Sequence, residues 1–160
     1  MKDTFTQFIR LGLVIVLLGL LLYWLDAAYF APRRLPPCVQ EELPEGFICP
    51  ETLLRIPAGS SIVWIDARSL SEYAVKHMEL PTNDAFPIRP GAEKDEQIIR
   101  ASERLAQLSE RDYVVVFCSA SCSSSKEIAA ELRELAFSPA PVYILQGGWD
   151  AIRDDKAFVP

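Results

Sequence analysis

The stretch from Val114 to Lys126, VVVFCSASCSSSK, passes from an unbroken apolar run into a serine-rich loop and then towards a helical pattern. Four consecutive apolar, largely β-branched residues suit a strand buried on both faces, as in a parallel sheet. Cys118 ends that run; five serines and Cys122 follow before Lys126. Three readings are open for Cys118: a nucleophile held in a loop, half of a redox pair with Cys122, or a small buried residue.

The neighbouring segments decide the class. Ile62 to Ile65, IVWI, predicts a second buried strand after the turn Gly59-Ser60-Ser61, and Ser71 to Lys76 opens a helix with Ser69 or Ser71 as its N-cap. Ala85 to Ile88 reads as a further short strand. Lys94 to Leu108 repeats Ile98, Ile99, Leu105 and Leu108 at helical spacing. Residues 125–137 predict a helix capped by Ser124 or Ser125, with Ile128, Leu132 and Leu135 on one face. Val142 to Leu145 is the last strand, followed by Gln146-Gly147-Gly148 and a short helix from Trp149. This alternation predicts an α/β fold with a central, mostly parallel sheet flanked by helices.

Residues 1–30 read as an apolar anchor, 31–46 as a proline-rich tether and 47–160 as the folded domain. From Leu11 to Leu25 no side chain is polar except the Tyr23 hydroxyl. As a helix those residues span about 22 Å against a hydrocarbon layer of roughly 30 Å, so Arg10 and Asp26 would snorkel to the two interfaces. A cleaved signal peptide is the competing reading, and it lacks small residues at a good cleavage site. The tether carries four prolines in sixteen residues, which stiffens it.

Lys2 and Arg10 cancel Asp3 and Asp26, so the net charge of −6 belongs to residues 31–160. No basic stripe is present, which speaks against nucleic acid as a partner. The membrane is the partner expected at the N-terminal helix. Lys2 and Arg10 nearly balance Arg33 and Arg34 under the positive-inside rule. Four cysteines fit an oxidising compartment, which places the domain on the extracytoplasmic side of a single-pass anchor. There Cys38 and Cys49 could close a loop worth about 3 kcal/mol. Neither cysteine spacing is the tight pair of a zinc site, so no metal or other cofactor is expected.

Residues 47–154 resemble a rhodanese domain, the sulfurtransferase-like α/β fold. IVWIDARSLSEYAVKHMELPTN is similar to the family's strand and its Asp-x-Arg, Glu-Tyr, His and Asn pattern at Asp66, Arg68, Glu72, Tyr73, His77 and Asn83. VVVFC matches the strand and catalytic cysteine, AAELRELAF the following helix, and VYILQGGWDAI the Gly-Gly-aromatic ending. The resemblance implies that Cys118 takes a sulfane sulfur as a persulfide and passes it from a small sulfur donor to a thiol acceptor. A loop that turns its backbone N–H groups inward at the start of a helix would cradle the bound sulfur with Ser119, Ala120, Ser121, Cys122, Ser123 and Ser124, Lys126 adding weak electrostatic help; the resemblance implies that Asp66, Arg68 and His77 hold the scaffold.

Two departures stand out: Leu80-Pro81 replaces the family's small pair, and the active loop is about one residue longer. That loop also contains no arginine, so Lys126 is its sole cation. A binding module for a protein partner and a thiol–disulfide role for Cys118 with Cys122 are the alternative functions.

Overall fold

A computed structural model describes residues 12, 15–24, 37–75, 84–119, 123–153 and 158. The chain divides into two units, Met1–Leu35 and Pro36–Pro160. In the first, residues 15–24 are helical and expose large apolar side chains; Ile15, Leu22 and Trp24 are 62%, 64% and 71% accessible. Among the described residues no helix is long and apolar enough to cross a membrane, and most of the segment read as an anchor outside 15–24 lies beyond those residues.

The second unit is built on five strands: β1 Phe47–Ile48, β2 Ile62–Asp66, β3 Ala85–Pro87, β4 Tyr113–Phe117 and β5 Val142–Leu145. They lie in the order β1-β5-β4-β2-β3, and every pairing is parallel. Four helices connect them: α1 Pro50–Leu53, α2 Leu70–Val75, α3 Lys94–Leu105 and α4 Ser124–Leu135. Single-turn 3₁₀ helices occupy Gln40–Glu42 and Gly148–Ala151.

Strand alternation sorts the core into two layers. Val63, Ile65, Val114, Val116 and Cys118 face α3 and α4, meeting Ile98, Ala101, Leu105, Ile128, Ala129 and Leu132. Trp64, Val115 and Phe117 face the other way, onto Leu53, Trp149, Ile152 and Phe158. Burial on both faces explains why IVWI and YVVVF carry no alternating polar residue.

Element boundaries shift by small amounts from the sequence reading. α3 ends at Leu105 rather than Leu108, and α4 runs from Ser124 to Leu135, with Ala136 in the left-handed conformation (φ 48°) closing it. Its N-cap is Ser123, not Ser124 or Ser125, and no side-chain bond caps that end. The two-residue β1 has no signature in sequence; β5 places it, through Phe47 opposite Ile144.

Residues 37–46, read as the end of a tether, are fastened to the folded unit. Cys38 and Cys49 form a disulfide with Cα atoms 5.6 Å apart. Gln40 donates to the Phe47 carbonyl at 3.0 Å and accepts from the Cys49 N–H at 2.9 Å. Arg133 of α4 donates to the Gly46 carbonyl at 3.0 Å. Glu51 lies near the two sulfurs, but sulfurs joined to each other are not thiolate ligands.

Candidate functional site

β4 sits between β5 and β2 in space, and the chain leaves β2 for β3 on one side and β4 for β5 on the other. The carboxyl end of β4 is therefore a topological switch point, where open α/β sheets place ligands. Cys118 is the first residue beyond that end, and its carbon frame is buried with 2% of its surface accessible. The residue is oxidised, as part of a disulfide.

Three neighbours fix Cys118. Its carbonyl accepts the Trp149 N–H at 2.7 Å, which ties the end of β4 to the turn after β5. That approach requires glycine at 148: φ there is +56°, and a Cβ would lie 2.2 Å from the Cys118 oxygen. Ser125, in the first turn of α4 and 5% accessible, has Oγ 3.3 Å from Cys118 Sγ. A disulfide sulfur has no proton, so the Ser125 hydroxyl is the donor. The Ser119 carbonyl lies 3.2 Å from the same sulfur.

Ser119 also donates its hydroxyl to Glu72 Oε1. Glu72 belongs to a capping box at the start of α2: Ser69 Oγ accepts the Glu72 N–H at 3.3 Å, and Glu72 Oε2 accepts the Ser69 N–H at 2.8 Å. The carboxylate thus joins the N-terminus of α2 to the first residue of the cysteine loop. The Ser119 hydroxyl foremost, then the Ser69 donors, hold the Glu72 carboxyl below its ordinary value.

Stability follows from that sign. A carboxyl whose pKa falls on folding contributes stability above its unfolded pKa and loses it as pH falls through the folded one. Asp84, held down by Arg104, and Asp112, held down by the Ser109 and Ser61 donors, act in the same sense. Denaturant unfolding titrated from pH 7 downward should therefore show stability falling below about pH 4. Glu72→Gln should reduce the proton uptake of that transition by about one or less, its contribution at pH 7 having been removed. An unchanged slope would mean that the Glu72 link to Ser119 is not made in solution.

On the opposite face Asp66 and Arg68 form a buried pair. Arg68 donates from Nε to Oδ1 at 2.8 Å and from Nη2 to Oδ2 at 2.7 Å. Its guanidinium lies 5.3, 5.5 and 5.0 Å from the ring centroids of Tyr73, Phe117 and Trp149. Arg89, just past β3, brings Nη2 to 4.0 Å from Asp66 Oδ2 and stacks 4.8 Å from the Tyr73 ring.

Among the residues expected at the site, the structure brings Cys118 and Ser119 together. Ser123 caps α4 and Ser124 opens it. Lys126 has its ammonium 5.8 Å from the ring of Phe47 on β1, two strands from β4. Ala120, Ser121, Cys122, His77 and Asn83 lie outside the described residues. Ser125, Glu72's carboxylate and Arg89 were not assigned to the site by sequence reasoning. The Ser-x-x-Glu capping box at Ser69–Glu72 was a readable signal for the second of these.

The model of the rhodanese-like domain matches residues 50–155. No curated protein matches the chain. Among solved structures, the BH2092 protein from Bacillus halodurans is 22% identical over 59% of this chain and 59% of its own, with a TM-score of 0.36. The N-terminal domain of a putative ATP/GTP binding protein from Clostridium difficile 630 is 19% identical over 68% of this chain and 96% of its own, with a TM-score of 0.43. The match to the family model spans more than half of the chain, from α1 to beyond the Gly148–Ala151 turn, and the chain belongs to the rhodanese-like domain family.

Proposed function

We propose that this protein carries and transfers sulfane sulfur as a persulfide on Cys118, from a domain held at a membrane by its N-terminal helix. One observation carries the reading: Cys118 stands at the carboxyl end of the central strand, with its carbonyl held by the Trp149 N–H and its sulfur within 3.3 Å of a buried serine hydroxyl. A thiolate there is a nucleophile with a nearby O–H donor, which stabilises the anionic sulfur of a persulfide or of the thiolate it leaves behind. Membership of the rhodanese-like family supports a sulfurtransferase-like or sulfur-binding module.

The apolar, exposed helix at residues 15–24 supports the anchor. The Cys38–Cys49 disulfide supports an oxidising, extracytoplasmic location for the domain. A membrane-impermeant thiol reagent applied to intact cells should label a cysteine introduced on the domain surface; labelling only after lysis would reverse the orientation.

The chemical test uses the reduced chain, freed of reductant and incubated separately with thiosulfate, mercaptopyruvate and polysulfide. Intact mass should show gain of one sulfur from at least one donor, peptide mapping should place it on Cys118, and a small thiol should remove it. A chain that gains no sulfur from any of the three would instead be a binding module, a reading favoured by the loop's lack of arginine.

A further inference from the structure

Sulfur transfer to a thiolate calls for no proton donor or acceptor, yet an acid, Glu72, is built into the wall of the Cys118 site. Its carboxylate is held at both oxygens. Oε1 accepts the Ser119 hydroxyl, and Oε2 accepts the Ser69 N–H and the Ser69 hydroxyl, each at 2.8 Å. Ser119 adjoins Cys118, and its carbonyl lies 3.2 Å from Cys118 Sγ. A carboxylate tied to two elements cannot turn away when an anion approaches the sulfur. The Ser119 and Ser69 donors also favour its ionised form.

We infer, resting on the persulfide-carrier reading, that Glu72 sets the substrate class of this site: sulfane donors with one negative charge or none, in preference to dianionic sulfur oxyanions. The transfer step is the same for donors of either charge. The reduced Cys118 thiolate attacks the outer sulfur of the donor, a new S–S bond forms to Cys118, and the donor's own sulfur–sulfur bond breaks. Its electron pair leaves with sulfite when the donor is thiosulfate, and with a sulfinate when the donor is a monoanionic thiosulfonate. Cys118 is left as a persulfide anion in both cases, and no oxidant or reductant enters.

Charge decides between the donors. At equal distance a carboxylate repels a dianion about twice as strongly as a monoanion and leaves a neutral donor unaffected. Among the described residues, the cations at this end of the sheet are directed away from Ser119. Arg68 closes both prongs of its fork on Asp66. Arg89 lies beside Asp66 and over Tyr73, past the end of β3; β2 stands between β3 and β4, which separates those strands by about 9–10 Å. Lys126 lies over Phe47. From Cys118 to Ser125 the sequence contains no charged residue. The fixed charge bonded to the residue next to the sulfur is thus negative.

The test uses the reduced full chain, freed of reductant, with thiosulfate or methanethiosulfonate, which deliver the same sulfur and differ by one charge. Intact mass against time gives both loading rates, and their ratio cancels any change that affects the two donors alike. Glu72→Gln keeps an oxygen for Ser119 and removes the charge. The ratio of thiosulfate to methanethiosulfonate loading should rise about fivefold in this variant at low ionic strength, and less than about twofold in about 0.5 M salt. Ser119→Ala keeps the charge and removes the bond, so its ratio should stay within about twofold of the parent's. An unchanged ratio in Glu72→Gln, thiosulfate loading neither that variant nor the parent, or an equal rise in Ser119→Ala would overturn the inference, while loading by methanethiosulfonate leaves the carrier reading standing. Should Glu72→Gln not fold, the parent decides: its ratio should rise with salt as the repulsion is screened, and a flat or falling ratio would overturn the inference. Failure of thiosulfate, methanethiosulfonate and polysulfide alike to load the parent would remove the carrier reading and this inference together.

Discussion

Replacing Arg68 by alanine should lower the unfolding free energy of the domain by about 3–5 kcal/mol, the usual cost of stranding one member of a buried ion pair. Asp66 is 2% accessible and Arg68 1%, so neither charge has water to fall back on. The loss includes more than a charge. The Arg68 guanidinium lies against Tyr73 of α2, Phe117 of β4 and Trp149 of the last turn, so its removal leaves a void among three separate elements. Arg89 is a weak substitute at 4.0 Å from Asp66, since it does not present the two-pronged geometry that Arg68 uses. Arg68→Lys keeps the charge and should recover only part of the loss, because an ammonium cannot bond both carboxylate oxygens in the plane of the fork. The double variant Asp66→Asn, Arg68→Met should be less destabilised than Arg68→Ala. Chemical denaturation of the parent and the three variants measures these differences; a loss under about 1 kcal/mol for Arg68→Ala, the range of exposed pairs, would show Asp66 to be solvated or paired again.

That buried pair illustrates which parts of the molecule can be read from sequence. Its residues, Asp66 and Arg68, fall in an Asp-x-Arg pattern that resemblance assigns to the scaffold, yet nothing in a linear pattern says that the arginine turns back two residues and closes on three aromatic rings. The central strands were legible because burial removes polar residues from them, and IVWI, YVVVF and VYIL are short, rich in β-branched and aromatic residues and bounded by turn or loop residues. β1 was not legible: two residues carry no periodicity, and its pairing with β5 joins segments from opposite ends of the domain. The tether reading covered residues 37–46 on proline content. Proline content reports backbone stiffness, however, and says nothing of Gln40 bonding across to Phe47 and Cys49 or of a disulfide closing over the segment.

At the site itself the cysteine's position was legible and its surroundings were not. The loop's five serines offer many donors, and the hydroxyl found at the sulfur is that of Ser125, the last of them and also a candidate helix cap in the sequence reading. Helix periodicity explains the difference. One residue of shift in the start of α4 moves a first-turn side chain by about 100°, from the end of the helix to the face that packs on Cys118. Lys126 was expected near the loop on sequence proximity alone, and the same rotation carries it to Phe47.

Gly148→Ala should be the most damaging single-methyl change in the domain, and it should act on the cysteine directly. Two effects add. Gly148 has φ +56°, a left-handed conformation that costs an L-residue about 1–2 kcal/mol. The new Cβ would lie 2.2 Å from the Cys118 carbonyl oxygen, a backbone atom that cannot rotate aside. Relief requires moving either the turn or the end of β4, and overpacking of this kind costs about 1–3 kcal/mol. Movement of either partner also lengthens the Trp149 N–H bond to that carbonyl, which is 2.7 Å, in a region where a lost buried bond costs about 1–3 kcal/mol. A loss of about 3–5 kcal/mol is expected in all, since these costs share one displacement and do not sum fully. Gly59→Ala separates the contributions: Gly59 has φ +92° with nothing within 4 Å of its ideal Cβ, so it should lose only the conformational part. Denaturant midpoints of the two variants, together with sulfur loading of the folded fraction, give the comparison. Gly148→Ala should load sulfur more slowly even where folded, while Gly59→Ala loads at the parent rate; equal stability of the two variants would mean that the turn and Cys118 are not in contact as described.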